Sequence, residues 1–268
     1  MSTVLVTGAT GGLGAALARD LAGSGWTVIV HGRDADRAHR LAEELGPPSI
    51  AVVADLAVLD DVRKLAAEVK AATPALHVLV NNAGVGFGPP GGGRELSRDG
   101  HELRFAVNYL APVLLTRELL PLLKASAPAR VVNVGSIGQV PLDVGDLRFD
   151  HGYSGTDAYR RAKLALAAWT FDLAAEIEAD GVTVNVLHPA SLMPTAMVAE
   201  ARSGTIDSVE DGLRATRRLV VDPELAGTTG RYFDRESPAR AHADAYDPAF
   251  RARLREATDR ILGTSVTT

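Results

Sequence analysis

TVLVTGATGGLG, residues 3–14, is a β-branched run that passes directly into a turn carrying glycines at 8, 11, 12 and 14. Glycines at such a turn let the chain reverse, let the backbone approach a pyrophosphate, and let the next helix pack closely. The helix N-terminus adds amide N–H groups and a positive dipole end. Glycine turns alone are common in loops, but one that follows a first strand and opens a helix points to nucleotide binding. The chain on either side has the matching rhythm. AALARDLAGSG (15–25), DADRAHRLAEELG (34–46) and LDDVRKLAAEVKAAT (59–73) read as amphipathic helices. TVIVHG (27–32), SIAVVADL (49–56) and LHVLVNNAG (76–84) read as buried strands. Strands alternating with helices predict an α/β fold, a doubly wound and mostly parallel sheet with helices on both faces.

The alternation continues through a helix over 105–123, a strand over 129–136, a long helix over 157–180 and a strand over 182–189, giving about six parallel strands. GFGPPGGG (86–93) is too rich in Gly and Pro for either element and reads as a mobile loop. Residues 190–228 read as an irregular, partly helical substrate lid, and 247–262 as a terminal helix. No linker divides the 268 residues, so 1–268 is expected to form one domain with its own core.

Composition narrows the function. Net charge is −5 and the arginines are interspersed with acids, which gives no footprint for nucleic acid or an anionic membrane. The expected partner is a small molecule. The chain has no cysteine, which excludes disulfides, thiol nucleophiles and cysteine metal sites, and its seven histidines show no metal-ligand spacing. The start MSTVLVTGATGG is unlike a signal peptide, no apolar run is expected to approach membrane-spanning length, and a cytoplasmic location follows as the simplest expectation.

AYRRAK carries Tyr159 and Lys163, four apart and so on one helix face. A nearby ammonium stabilises a phenolate, and a phenol tuned this way suits general acid–base chemistry. Tyr–Lys pairs at this spacing usually belong to a solvated face. Here Lys163 is one of only four lysines and lies in an apolar-rich stretch.

Thr7-Gly8-Ala9-Thr10-Gly11-Gly12-Leu13-Gly14 resembles the T-G-x-x-x-G-x-G turn of the short-chain dehydrogenase/reductase family. Asp55-Leu56, Asn81-Asn82-Ala83-Gly84, Asn108, Ser136, Tyr159 with Lys163, and His188-Pro189 follow in the family's order. The resemblance covers roughly residues 3–195 and implies a Rossmann fold with a nicotinamide cofactor. It assigns Gly8, Thr10, Gly11, Gly12, Leu13 and Gly14 to the pyrophosphate turn, and Asp55 and Leu56 to the adenine. Asn82, Ala83, Gly84, Pro189 and Thr195 would line the cofactor. Tyr159 would exchange a proton with a substrate oxygen, Lys163 would lower the tyrosine pKa and reach the nicotinamide ribose, and Ser136 would polarise the carbonyl. Asn108 would interrupt its helix to hold a water joined to Lys163. Pairing through the long helices that contain Asn108 and Tyr159, into a homodimer or homotetramer, is implied as well.

Cofactor choice turns on Val30-His31-Gly32-Arg33-Asp34. Gly32 stands where a ribose-binding acid is usual and Arg33 follows it, which favours NADP(H) because a guanidinium binds phosphate in bidentate fashion. The alternative is that Arg33 is a solvated charge paired with Asp34 or Asp36. The 23-residue separation of Ser136 and Tyr159 accommodates an insert, IGQVPLDVGDLRFDHGYSGTD. With TTGRYFDR at 228–235, it resembles the retinol-dehydrogenase-like and protochlorophyllide-reductase-like branch and implies a lipophilic or polycyclic substrate. Expected pocket walls are Phe87, Val140, Leu142, Phe149, Tyr153, Leu192, Met193 and Met197. The function implied is carbonyl reduction or alcohol oxidation. Alternatives are an epimerising or non-redox use of the nicotinamide, and an NADP(H)-sensing binding protein.

Overall fold

The computed structural model describes residues 2–201 and 204–263. Strands β1 (Thr3–Val6), β2 (Thr27–Gly32), β3 (Ile50–Val53), β4 (Val78–Asn81), β5 (Ala129–Val134) and β6 (Val182–His188) are the six expected from the apolar runs. Two more follow, β7 (Tyr232–Asp234) and β8 (Ser237–Ala239). The sheet order is β3-β2-β1-β4-β5-β6-β7-β8, parallel throughout except for the β7–β8 hairpin. Strand order reverses between β1 and β4, and a doubly wound sheet offers its ligand crevice outside the C-terminal strand ends at that point.

Helices α1 (Gly12–Gly23), α2 (Ala35–Leu45) and α3 (Leu59–Ala72) are the crossovers of the first half. Asp34 caps α2 by accepting from Arg37 N, and one face of α2 is buried through Ala38, Leu41 and Ala42. The expected helix at 105–123 is composite: a turn α4 (Leu103–Phe105), a π-helical turn over Ala106–Leu110, and α5 (Ala111–Ala125). The run Leu103–Ala125 is long and apolar enough to cross a membrane by length and composition. That corrects the expectation that no such run exists. Its window is 72% buried, and it packs between the sheet and neighbouring helices as a core element.

Helix α6 (Gly155–Glu176) is capped by the Ser154 side chain and buries nearly every residue from Ala162 to Phe171. Helix α9 (Pro248–Leu262) lies along α6. Tyr109 is hydrogen-bonded to Thr258 at 2.7 Å, and Arg251 and Arg255 both pair with Asp172.

The stretch 190–228 divides in two. Residues 190–201, with α7 (Ala196–Glu200), form an irregular cover, whereas α8 (Val209–Val221) is a core helix packed on α1 through Ala215, Leu219 and Val220. The lid expectation fails over 209–221 because that segment closes with a full capping box and buries an apolar stripe.

Candidate active site

The glycine turn is locked to the loop after β4. Gly8 has φ +65, and a Cβ there would lie 2.8 Å from Ala83 Cα; a Cβ on Gly14 would lie 2.4 Å from Gly8 O. Only glycine fits either position. Asn82 Nδ2 donates to Thr7 O at 2.8 Å, and the Asn82 and Ala83 amides donate to Thr7 Oγ1 at 2.9 and 3.0 Å. With Gly11 as N-cap, no side chain covers the first-turn amides of α1. This cradle fits a pyrophosphate.

Three further residues organise this end, and motif reading did not assign them. Thr7 is the common acceptor just described. His31 is buried, and its Nδ1 accepts from Gly8 N at 3.2 Å, which places the ring proton on Nε2 for Ala54 O at 3.2 Å. Burial pushes its pKa down to about 4, so the ring is neutral. Arg37 donates to Thr10 O at 2.6 Å. Its signal was present in the sequence: it is the arginine four residues beyond Arg33.

At the C-terminal end of β2, a Cβ on Gly32 would lie 2.4 Å from Thr10 Cγ2, so β2 ends against the glycine turn and Arg33 emerges exposed beside it. Asp34 accepts from its own helix at Arg37 N. Asp55 Oδ1 accepts from Ala57 N, and the Leu56 side chain belongs to the core.

The catalytic candidates converge beyond the end of β5. Ser136 follows that strand by two residues, and its side chain lies near enough to the Tyr159 phenol of α6 to favour the phenolate. Ser136 Oγ accepts from Gly138 N at 3.0 Å, which leaves its hydroxyl proton to be donated. The Lys163 Nζ lies 5.6 Å from the Tyr159 ring centroid and donates to Val134 O at 2.7 Å. Burial lowers Lys163 to about 8 and raises Tyr159, with the Ser136 side chain opposing that rise. In the resting chain desolvation is the leading influence on the phenol, while the ammonium faces the ring and a main-chain carbonyl.

Asn108 sits in the π-helical turn, as the expected helix interruption requires. Its side chain takes both main-chain groups of Val85: Oδ1 accepts from Val85 N at 2.8 Å and Nδ2 donates to Val85 O at 2.9 Å. That clamp fixes the loop carrying Phe87, whose ring meets Tyr159 edge-on at 4.8 Å. Arg104 supports the same loop. It is buried with Glu102 at 3.2 Å and reaches Tyr153 Oη at 3.0 Å and Glu95 at 3.1 Å.

The cover over 190–201 meets both halves of the crevice. Thr195 Cγ2 lies where a Cβ on Gly12 would come within 2.9 Å, Met197 lies against Gly84 and Gly86, and Met193 against Gly212 and Leu13. Pro189 and Ala190 are buried at the root of the cover, and His188 Nε2 is 3.0 Å from Ser191 Oγ, a structural bond. Of the expected pocket walls, Phe149 and Leu142 belong to the core; Phe149 packs on Phe105 with ring centroids 5.5 Å apart. Tyr153 is engaged with Glu102 and Arg104. Ile137, unremarked in the sequence, is 61% exposed immediately after Ser136.

Residues 2–205 match the family model described as short chain dehydrogenase. Retinol dehydrogenase 13 from Homo sapiens is 32% identical over 97% of this chain and 84% of its own length. Retinol dehydrogenase 14 from Homo sapiens is 37% identical over 86% and 77%. A crystal structure of an uncharacterized protein from Mycobacterium paratuberculosis superposes with a TM-score of 0.81 at 26% identity, covering 100% of this chain and 96% of that one. A 3-ketoacyl-(acyl-carrier-protein) reductase from Brucella melitensis, complexed with NADH, gives 0.71 at 25% identity, covering 88% and 98%. A short chain dehydrogenase from Burkholderia cenocepacia, in complex with NADP, gives 0.70 at 29%, covering 87% and 95%. Glycine cradle, serine, tyrosine and lysine thus stand in a chain that belongs to the short-chain dehydrogenase/reductase family, on its retinol-dehydrogenase-like branch.

Proposed function

We propose that this chain is an NADP(H)-dependent oxidoreductase that reduces a carbonyl on a lipophilic substrate, or oxidises the corresponding alcohol. The observation that carries the reading is the convergence of the Ser136 side chain, the Tyr159 phenol and Lys163, whose ammonium lies 5.6 Å from the centroid of the same ring.

The cradle of Gly8, Gly11, Gly12 and Gly14 would hold the pyrophosphate, and Arg33 a 2′-phosphate. Bound NADPH would supply the hydride to the carbonyl carbon. The remaining work belongs to the chain. Ser136 orients the carbonyl oxygen, and Tyr159 gives it a proton, which completes the alcohol. A phenol raised by burial is protonated at neutral pH and suits the reducing direction. Lys163, still cationic there, stabilises the phenolate left behind.

A lipophilic substrate is supported by exposed Ile137 next to Ser136, by Phe87 against Tyr159, and by the retinol dehydrogenases among the relatives. A cytoplasmic location is part of the proposal, because the apolar run 103–125 is occupied in the core; recovery in the membrane pellet on fractionation would remove it. Helix α9 packs on α6, one of the two long helices of the expected pairing, and a homodimer or homotetramer stays part of the proposal. Light scattering gives the mass.

The deciding experiment incubates the chain with C4-deuterated NADPH and a panel of bulky aldehydes and ketones. Deuterium in the alcohol is expected, and its loss in Tyr159→Phe. Cofactor binding without transfer to any carbonyl would refute the proposal.

A further inference from the structure

Ser136 is held at both of its oxygens. Its Oγ accepts from Gly138 N, as described. Its main-chain carbonyl accepts twice more, from Gln139 Nε2 at 2.8 Å and from Tyr232 Oη at 3.1 Å. Tyr232 opens β7 and is 3% exposed.

The support behind this contact is itself rigid. Tyr232 is paired with Val186 of β6. Gln139 Oε1 accepts from His242 N at 3.0 Å. The segment containing His242 is tied down where Ala241 N donates to Tyr246 Oη at 3.0 Å and Tyr246 stacks on Phe171 of α6 at 4.9 Å. The turn bearing Ser136 therefore rests against a frame built from residues 232–246.

We propose that Tyr232 and Gln139 are positioning residues for Ser136. On this reading the β7–β8 region, which lies beyond the residues 2–205 matched to the family, belongs to the catalytic apparatus. The inference rests on the proposed carbonyl chemistry for its kinetic consequence. The physical ground is that a serine hydroxyl aims its proton only as well as its main chain is fixed, and a displacement on the order of 1 Å can cost about a hundredfold in rate. Two donors on one carbonyl, one buried and one braced from a distant segment, fix that main chain. A buried Tyr hydroxyl also needs an acceptor, and here the acceptor is the catalytic serine's own carbonyl.

The test compares wild type, Tyr232→Phe, Gln139→Leu, Ser136→Ala and Ser136→Ala/Tyr232→Phe. Tyr232→Phe keeps the ring and removes only the donor. Expected is a fall in kcat of about tenfold, with KM for NADPH and for the carbonyl unchanged, and no further fall when the change is made in Ser136→Ala. Gln139→Leu, on a half-buried loop, should show the same split and stands in if Tyr232→Phe fails to fold. Hydrogen exchange over residues 135–139 is measured alongside and should quicken in both variants. Wild-type kcat in both variants, or a loss that adds in full to that of Ser136→Ala, would overturn the inference, as would unchanged exchange. A wild-type chain that transfers hydride to no carbonyl refutes the proposed function instead, and the exchange measurement still decides whether Tyr232 orders the turn.

Discussion

The Lys163 ammonium stands over the face of the Tyr159 ring, 5.6 Å from its centroid, while its hydrogen bond goes to Val134 O. Burial keeps the resting phenol protonated, and a cation over the ring favours the charge that appears when the phenol gives up its proton. Burial lowers Lys163 to about 8, so the cation is present below that pH and lost above it. The kcat for carbonyl reduction should hold level from about pH 6 to 7.5 and then fall through about pH 8. Lys163→Met, already lacking the charge, should be slow throughout and lose this limb. A wild-type profile level to pH 10 would contradict the assignment.

Asn108 and Val85 make a two-way main-chain clamp, and removing it leaves a part-buried N–H and a part-buried C=O without their partner. Asn108→Ala should cost on the order of 1–3 kcal/mol in urea unfolding. It should also lower kcat/KM for the carbonyl more than for the cofactor, because the released loop carries Phe87, which touches Tyr159. Asn108→Asp restores one of the two bonds and should fall between wild type and Asn108→Ala. Equal kinetics in all three would show that the clamp does not govern the site.

The legible parts of this chain are those whose signal is local. TVLVTGATGGLG announces a strand, a turn and a helix in twelve residues, and three more glycine- or asparagine-marked strand ends follow, at Gly32, Asn81 and Gly135. β7 and β8 were not legible as strands, because three residues each carry no periodicity and their pairing with β6 and with each other makes them strands. Apolar residues of the insert gave no sign of their side: Phe149 and Leu142 went to the core, while Ile137 stayed out. Spacing placed Lys163 near Tyr159 without saying whether the ammonium would meet the oxygen or the ring. Arg104 with Glu102 reads as surface charge, and only the packing of the loop after β4 makes it a buried pair.

His31 gives the cofactor end a pH dependence of its own. Neutral in the fold with a pKa near 4, it titrates near 6.5 when unfolded. Between those values the unfolded chain binds the extra proton, so stability falls as pH drops through the window and is unaffected above it. The contribution is on the order of 3 kcal/mol at its full extent. Urea midpoints at pH 7.5, 6, 5 and 4.5 should decline more steeply for wild type than for His31→Gln, since carboxylate titrations are common to both. Parallel declines would remove His31 as the cause.

Arg33 lies just before the Asp34 N-cap of α2 and Arg37 in the first turn of that helix, and their surroundings differ. Arg37 holds the glycine turn from outside through Thr10 O, and the turn serves either nicotinamide cofactor through its pyrophosphate cradle. Arg33 is exposed at the end of β2, beside Gly32 and free of the helix cap that Asp34 makes with Arg37 N. Arg33→Ala should weaken NADPH by about tenfold or more, a charge-assisted phosphate contact being worth roughly 1.5–3 kcal/mol, and leave NADH as it was. Arg37→Ala should weaken both cofactors by similar factors, because it loosens the turn they share. Fluorescence titration of each variant with each cofactor supplies the four ratios. If Arg33→Ala leaves the NADPH-to-NADH preference unchanged, the NADP(H) assignment fails; if Arg37→Ala alone abolishes it, the phosphate sits at Arg37 instead.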